Sequence, residues 1–174
     1  MRIAAAVLLL AMSYVLSVAS AQQSAITNFG KVNDNYFRGA QPTRSQLATL
    51  KAMGVKTIID LRRDANPNER QWAKEQGLKY FNLPLKSHQH ATEEQTKSFL
   101  RLVDDSANLP VFVHCRGGKH RTGAMTAVYR ITHDGWTAEQ AFEEMQKYDF
   151  DDGTEAGPPD QKKFVFEFYE KWKK

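Results

Sequence analysis

The sequence predicts an α/β fold, with a parallel-rich central sheet of four to five strands flanked by helices, and three observations carry that prediction. Short apolar runs rich in β-branched residues, such as Val55-Lys56-Thr57-Ile58-Ile59-Asp60-Leu61 and Val111-Phe112-Val113, alternate with segments whose apolar residues recur at helical spacing. Thr-x-x-Gln capping boxes at Thr43, Thr92 and Thr137 mark helix starts. Gly54, Gly77 and Gly135 stand where helices should end.

The elements follow in order. Gln22 to Asn35 is polar and reads as a loosely held lead-in, and Tyr36-Phe37-Arg38 is a short strand broken by Gly39 to Pro42. The first helix carries Leu47, Leu50 and Met53 on one side. Val55 to Leu61 is the next strand, apolar enough to be covered on both faces. Arg62-Arg63-Asp64 lies just beyond its C-terminal end, where open α/β sheets bind ligands; Arg62 or Arg63 is either an anion contact or a plain solvated charge. Asn66-Pro67 opens a second helix, and Leu78 to Leu83 is a strand expected to stop at Pro84. The loop Leu85 to Ala91 holds His88 and His90. A third helix presents Phe99, Leu100 and Val103, the Val111 strand follows, and a fourth helix runs from Thr122 to Asp134. The fifth carries Ala141, Phe142 and Met145, and Asp149 to Pro159 is an acidic loop marked by Gly and Pro. Phe164, Phe168 and Trp172, four residues apart, make the last helix a packing element.

At 174 residues, 41% hydrophobic and 25% charged, the chain has room for one domain with its own core. Arg2 is followed by a mostly apolar run from Ile3 to Val18 and by the small-x-small pattern Ala19-Ser20-Ala21. Residues 1–21 are therefore expected to be a secretory signal peptide and residues 22–174 a single domain, periplasmic or secreted after cleavage. Ser13, Tyr14 and Ser17 interrupt the apolar run, which argues against stable membrane insertion. Net charge is +4, and cleavage after Ala21 removes only the charge of Arg2, leaving +3. That excess is too small to argue for a nucleic-acid partner, and it suits an anionic substrate. Cys115 is the single cysteine, so the fold stands without an internal disulfide. The five histidines show no His-x-x-x-His spacing, and neither a metal nor another cofactor is expected.

The chemistry concentrates in Val111-Phe112-Val113-His114-Cys115-Arg116-Gly117-Gly118-Lys119-His120-Arg121-Thr122-Gly123. A strand ends at a cysteine, five residues form a glycine-bearing loop, and an arginine follows at a helix start. That spacing suits a loop curled round a tetrahedral oxyanion. Its N–H groups form a nest, the helix presents its positive end, and the Arg121 fork grips two oxygens. The same field favours a thiolate, so Cys115 is expected to ionise well below the ordinary value of about 8.5. Gly117 and Gly118 are expected to supply positive φ angles.

This run, His114-Cys115, five residues, then Arg121-Thr122-Gly123, resembles the signature loop of the cysteine-dependent protein tyrosine phosphatase superfamily. Gly118 to Gly123 is most similar to the plant and fungal atypical dual-specificity phosphatases and their bacterial relatives, and the likeness extends from Tyr36-Phe37-Arg38 to the C-terminal helix. It implies the compact phosphatase fold, with Cys115, Arg121 and Thr122 catalytic and the Thr122 hydroxyl easing departure of the sulfur. It also implies a phosphate-binding loop of Arg116, Gly117, Gly118, Lys119 and His120, with His114 orienting that loop. Many relatives carry a general-acid aspartate roughly thirty residues before the cysteine. Here that count falls near Leu85, and Leu83 to His90 contains no aspartate. His88, His90 and Glu93 are the stand-in acids on offer; Asp104 and Asp105 lie at a helix end and read as structural.

The implied function is hydrolysis of phosphomonoesters through a cysteinyl-phosphate. Substrates would be phosphotyrosine and other aryl phosphates, or inositol phosphates and pyrophosphates, whether protein-borne or free. A missing acid favours good leaving groups. A rhodanese-like sulfurtransferase and a catalytically silent phosphate-binding module remain open as alternatives.

Overall fold

The computed structural model describes residues 25–87, 89–150 and 159–174. The expected signal peptide, most of the acidic loop after Asp149, and His88 lie outside the described residues. Five strands, β1 (Gly30–Asn33), β2 (Tyr36–Ala40), β3 (Thr57–Arg62), β4 (Lys79–Leu85) and β5 (Val111–Cys115), form one sheet in the order β1-β2-β5-β3-β4. Only β1 on β2 is antiparallel; the other pairs are parallel. The helices are α1 (Arg44–Ala52), α2 (Pro67–Glu75), α3 (Glu93–Asp104), α4 (His120–His133), α5 (Ala138–Lys147) and α6 (Pro159–Trp172).

Helices α1, α3 and α5 start as their sequences predict. Thr43, Thr92 and Thr137 each accept from the backbone N–H three residues on, and Gln46, Gln95 and Gln140 return the bond. Strand alternation then divides the core. Phe37, Ile58 and Phe112 face Leu47, Leu50 and Ala73 of α1 and α2. On the other face Tyr36, Ile59 and Val113 meet Phe99 and Val103 of α3 and Met125 and Val128 of α4. A third cluster joins α4 to α5 and α6 through Ala127, Ile131, Phe142, Met145 and Val165. Among the described residues, no helix is long and apolar enough to cross a membrane.

Two expectations are corrected. The lead-in is held from residue 25 onward: Phe29 stacks on Phe37 and Phe112 at 6.2 and 6.4 Å, and β1 pairs with β2. A four-residue strand half open to solvent carries no apolar alternation for a sequence reading to detect. Strand β4 also runs through Pro84 to Leu85. It is an edge strand, where a residue without an N–H removes no ladder bond.

The parallel register brings Ala40 beside Cys115 and Asp60 beside His114. The C-terminal ends of β2, β3, β4 and β5 therefore open on one edge, and their following loops gather there.

Candidate active site

Central strand β5 is buried throughout and ends at Cys115, itself 3% exposed. The thiol lies at a cavity of about 240 Å³ lined by Ser87, Arg116, Gly117, Lys119, His120 and Arg121. An adjoining cavity of about 750 Å³ shares Ser87, Arg116 and Arg121 and adds Arg63, Asp64, Lys86 and Gln89.

The loop owes its shape to its carbonyls. The Gln41 N–H donates to Arg116 O at 3.2 Å, Asn28 Nδ2 to Gly117 O at 2.9 Å, and Arg38 Nη2 to Gly118 O at 2.6 Å. In a trans peptide the carbonyl and the next N–H point opposite ways. Drawing these carbonyls outward therefore turns the N–H groups of Gly117, Gly118 and Lys119 inward, forming an anion nest. Helix α4 begins next with no side-chain cap, so its first N–H groups add to the same positive end.

Of the two expected positive-φ glycines, only Gly118 is one, at φ +70. A Cβ there would stand 2.5 Å from Gly39 C and 2.6 Å from Ala40 N, so glycine is required. A Cβ on Gly117 would meet nothing nearer than Lys119 Cγ at 3.7 Å, and that expectation fails because the turn is made by a single residue.

Arg121 is mostly buried, and one of its nitrogens donates to Leu85 O at 3.3 Å. This anchor fixes the guanidinium over the cavity. Thr122 is fully buried, and its hydroxyl has no hydrogen-bond partner. Lys119 lies 3.4 Å from Asp149, and the His120 ring sits edge-on to Phe150.

Below the loop is a buried charge cluster that the sequence reading missed. His114 Nε2 approaches Glu69 Oε1 at 2.8 Å, and its Nδ1 lies 3.2 Å from Cys115 O. Arg62 bridges Asp60 at 2.7 Å and Glu69 at 2.9 Å and donates to Gln41 Oε1 at 2.6 Å. Tyr80 donates to Asp60 Oδ2 at 2.7 Å. Burial pushes Asp60 upward, but the bonds from Arg62 and Tyr80 and the field of His114 together hold it below the ordinary carboxylate value. Burial and then the bond to Asp60 push the Tyr80 phenol upward. Asp60, Glu69 and His114 converge as metal ligands would, but the Arg62 guanidinium already bridges both carboxylates. Arg62 is thus neither a solvated charge nor an anion contact, whereas Arg63 lines the wider cavity.

Two of the stand-in acids, His90 and Glu93, are not brought to Cys115, and His88 lies outside the described residues. His90 stacks on Phe164 and, with Glu93, lines a separate groove between α3 and α6; Glu93 pairs with Lys97 at 2.6 Å. After Gln89 the chain turns away toward α3, taking first His90 and then Glu93 with it. Asp104 pairs with His133 and Asp105 caps the turn that follows α3, so both are structural. The carboxylate that does line the wider cavity is Asp64, 2.6 Å from Arg116 and 4.0 Å from Arg121. The hydrogen bond from Arg116 holds it below its ordinary value, so it stands ionised. Its position after β3 was the available signal, and Lys86 after β4 carries the same one.

A family model described as DSP-PTPase phosphatase fused to NAD+ kinase matches residues 13–165. The chain is 30% identical over 125 residues to the dual specificity protein phosphatase TpbA of Pseudomonas aeruginosa (strain UCBPP-PA14), covering 72% of this chain and 56% of that protein. It is 29% identical over 126 residues to the inositol diphosphatase DSP4 of Arabidopsis thaliana, covering 70% of this chain and 63% of that one. The chain thus spans less than two thirds of the length of either relative. Among solved structures it superposes on a Cys-to-Ser variant of P. aeruginosa TpbA in complex with phosphotyrosine. The TM-score is 0.68 at 27% identity, over 85% of this chain and 90% of that one.

Asp60 contributes stability that is fully present above the ordinary aspartate value of about 3.9 and is lost as pH falls through its lowered folded value. Asp60→Asn is expected to cost about 3–5 kcal/mol near neutral pH, because it leaves Arg62 buried with one partner fewer. Denaturant titrations from pH 7 to pH 2.5 should show a shallower acid limb in the variant than in the unsubstituted protein.

Proposed function

The chain belongs to the DSP-PTPase family of cysteine-dependent phosphatases, and from that membership we propose that it hydrolyses phosphate esters through a cysteinyl-phosphate. One observation carries the proposal: Cys115 lies at the base of a loop whose Arg116, Gly117 and Gly118 carbonyls are drawn outward, with the Arg121 guanidinium at the rim.

In the first step the Cys115 thiolate attacks phosphorus. The S–P bond forms as the bond to the leaving oxygen breaks, and the inward N–H groups and Arg121 hold the equatorial oxygens. Water then attacks the cysteinyl-phosphate, releasing inorganic phosphate and returning the thiolate. The unpartnered Thr122 hydroxyl is free to donate to the departing sulfur. Asp64 is held ionised and is a weak proton donor, so leaving groups that need little protonation are favoured, including aryl phosphates and phosphoanhydrides. Arg63, Lys86 and Arg116 around the wider cavity suit a substrate with further negative charge, such as an acidic phosphopeptide or an inositol pyrophosphate. The pattern of residues 1–21 supports export to the periplasm or medium.

Cys115→Ser is expected to reduce p-nitrophenyl phosphate hydrolysis on the order of 10³-fold or more, while EDTA leaves the unsubstituted protein unchanged. Equal rates in the two proteins would remove the nucleophile.

Asp64 competes with an entering anion for Arg116. Asp64→Asn should therefore lower the inhibition constant of inorganic phosphate about two- to fivefold, the size of an exposed ion pair, with little change in kcat. A fall in kcat confined to alkyl phosphates would instead make Asp64 the proton donor. Amino-terminal sequencing of the exported protein should begin at Gln22.

A further inference from the structure

Arg38 is among the most deeply buried side chains of the molecule, with no exposed surface. Its Nη2 holds Gly118 O at 2.6 Å, and its guanidinium carbon sits 3.9 Å from the centre of the Tyr148 ring. Its Nε and Nη1 have no hydrogen-bond partner, and no carboxylate among the described residues lies within ion-pair distance. A buried charge without an anion is costly, and an arginine cannot shed its proton to escape that cost.

The anionic candidates around it can be eliminated in turn. Burial pulls the Arg38 pKa down, and the groups opposing that pull are Tyr36, Glu144, Tyr148 and Cys115. Glu144 is already taken by Arg130, which binds both of its oxygens and comes as close as 2.6 Å. Burial keeps the Tyr36 phenol protonated, and its oxygen is engaged with Thr126. Tyr148 offers Arg38 a ring face. Among the described residues, that leaves the sulfur. Strand register agrees, because Ala40, two residues after Arg38 on β2, lies directly beside Cys115 on β5.

We propose that Arg38 is the buried counter-charge of the Cys115 thiolate and, through Gly118 O, the clamp that aims the loop's N–H groups: a positioning residue beneath the site. It deepens the phosphatase reading and rests on it for the thiolate's purpose, but its test needs no turnover. Of the other charges near the site, His114 precedes Cys115 on β5 with its ring turned to Glu69, and Asp64 from the segment after β3 lies 4.0 Å from Arg121. The loop and α4 line the Cys115 cavity with Arg116, Lys119, His120 and Arg121, while Glu144 of α5 and Tyr148 at its end lie on the Arg38 side. All of these stay unchanged in the variants below.

Cys115 is the only cysteine, so alkylation by iodoacetamide reports on it alone, and the pH dependence of the rate follows its ionisation. Arg38→Gln keeps a donor for Gly118 O and removes the charge. Alkylation at pH 6 should slow about tenfold or more relative to the unsubstituted protein, and the two rates should converge near pH 9.5. Arg38→Lys keeps the charge without the fork; its alkylation at pH 6 should stay within about threefold, while aryl phosphate hydrolysis falls. An unmoved profile in Arg38→Gln, with only a lower melting temperature, would overturn the inference. So would an Arg38→Lys slowed about tenfold relative to the unsubstituted protein, which decides the matter even if Arg38→Gln does not fold. An active enzyme with an unmoved profile sinks this inference alone; a shifted profile in a protein without phosphatase activity sinks the function and spares the counter-charge.

Discussion

Outward hydrogen bonding of the carbonyls of Arg116, Gly117 and Gly118 is the constraint on which the rest of the site depends. A short loop has few internal bonds, and its peptide groups would otherwise turn toward water. Here each carbonyl is held by a group from a different place in the chain: the Gln41 backbone, the Asn28 amide and the Arg38 guanidinium. All three come from residues 28–41, and through Asn28 the segment that reads as a lead-in is part of the site's wall. Gly118 completes the arrangement, since only a residue without a Cβ fits against Gly39 and Ala40.

The charges of the site divide into two layers with different energetic weight. The Asp60–Arg62–Glu69–His114 cluster is fully desolvated, so removing one member strands the others. It ties β3, α2 and β5 together directly beneath the nucleophile and holds the strand end still. Above the loop, the Asp64–Arg116 pair is exposed to solvent, and its net contribution is small. A small contribution is what a displaceable contact at a substrate mouth requires. The lower layer resists change, and the upper layer yields to an incoming anion.

Several features were legible from local pattern alone. The Thr43, Thr92 and Thr137 boxes act through bonds within one helical turn, so their sequence signature is complete in itself. The β3 and β5 runs place β-branched and other apolar residues on both faces, as a strand covered on both sides does. Cys115 and Arg121 stand on the two sides of one short loop, so spacing alone brings them to one cavity. Other features had no local signal. His90 and Glu93 fall near the expected distance from Cys115 in sequence but face α6, and Arg62 reads as a surface charge while being buried. Strand β1 is four residues of mixed polarity whose partner supplies the pairing.

By itself the sequence determined the α/β alternation, the helix starts and the cysteine–arginine loop, because each is encoded by residues in chain contact with one another. Only the tertiary structure decided which charges are buried, which glycine must be glycine, and which distant side chains hold the loop. Those outcomes depend on strands ending at one edge of a parallel sheet, a condition set by long-range register. Arg38 and Asp60 are carried to the site by that register, and Glu69 by the packing of α2 beneath it.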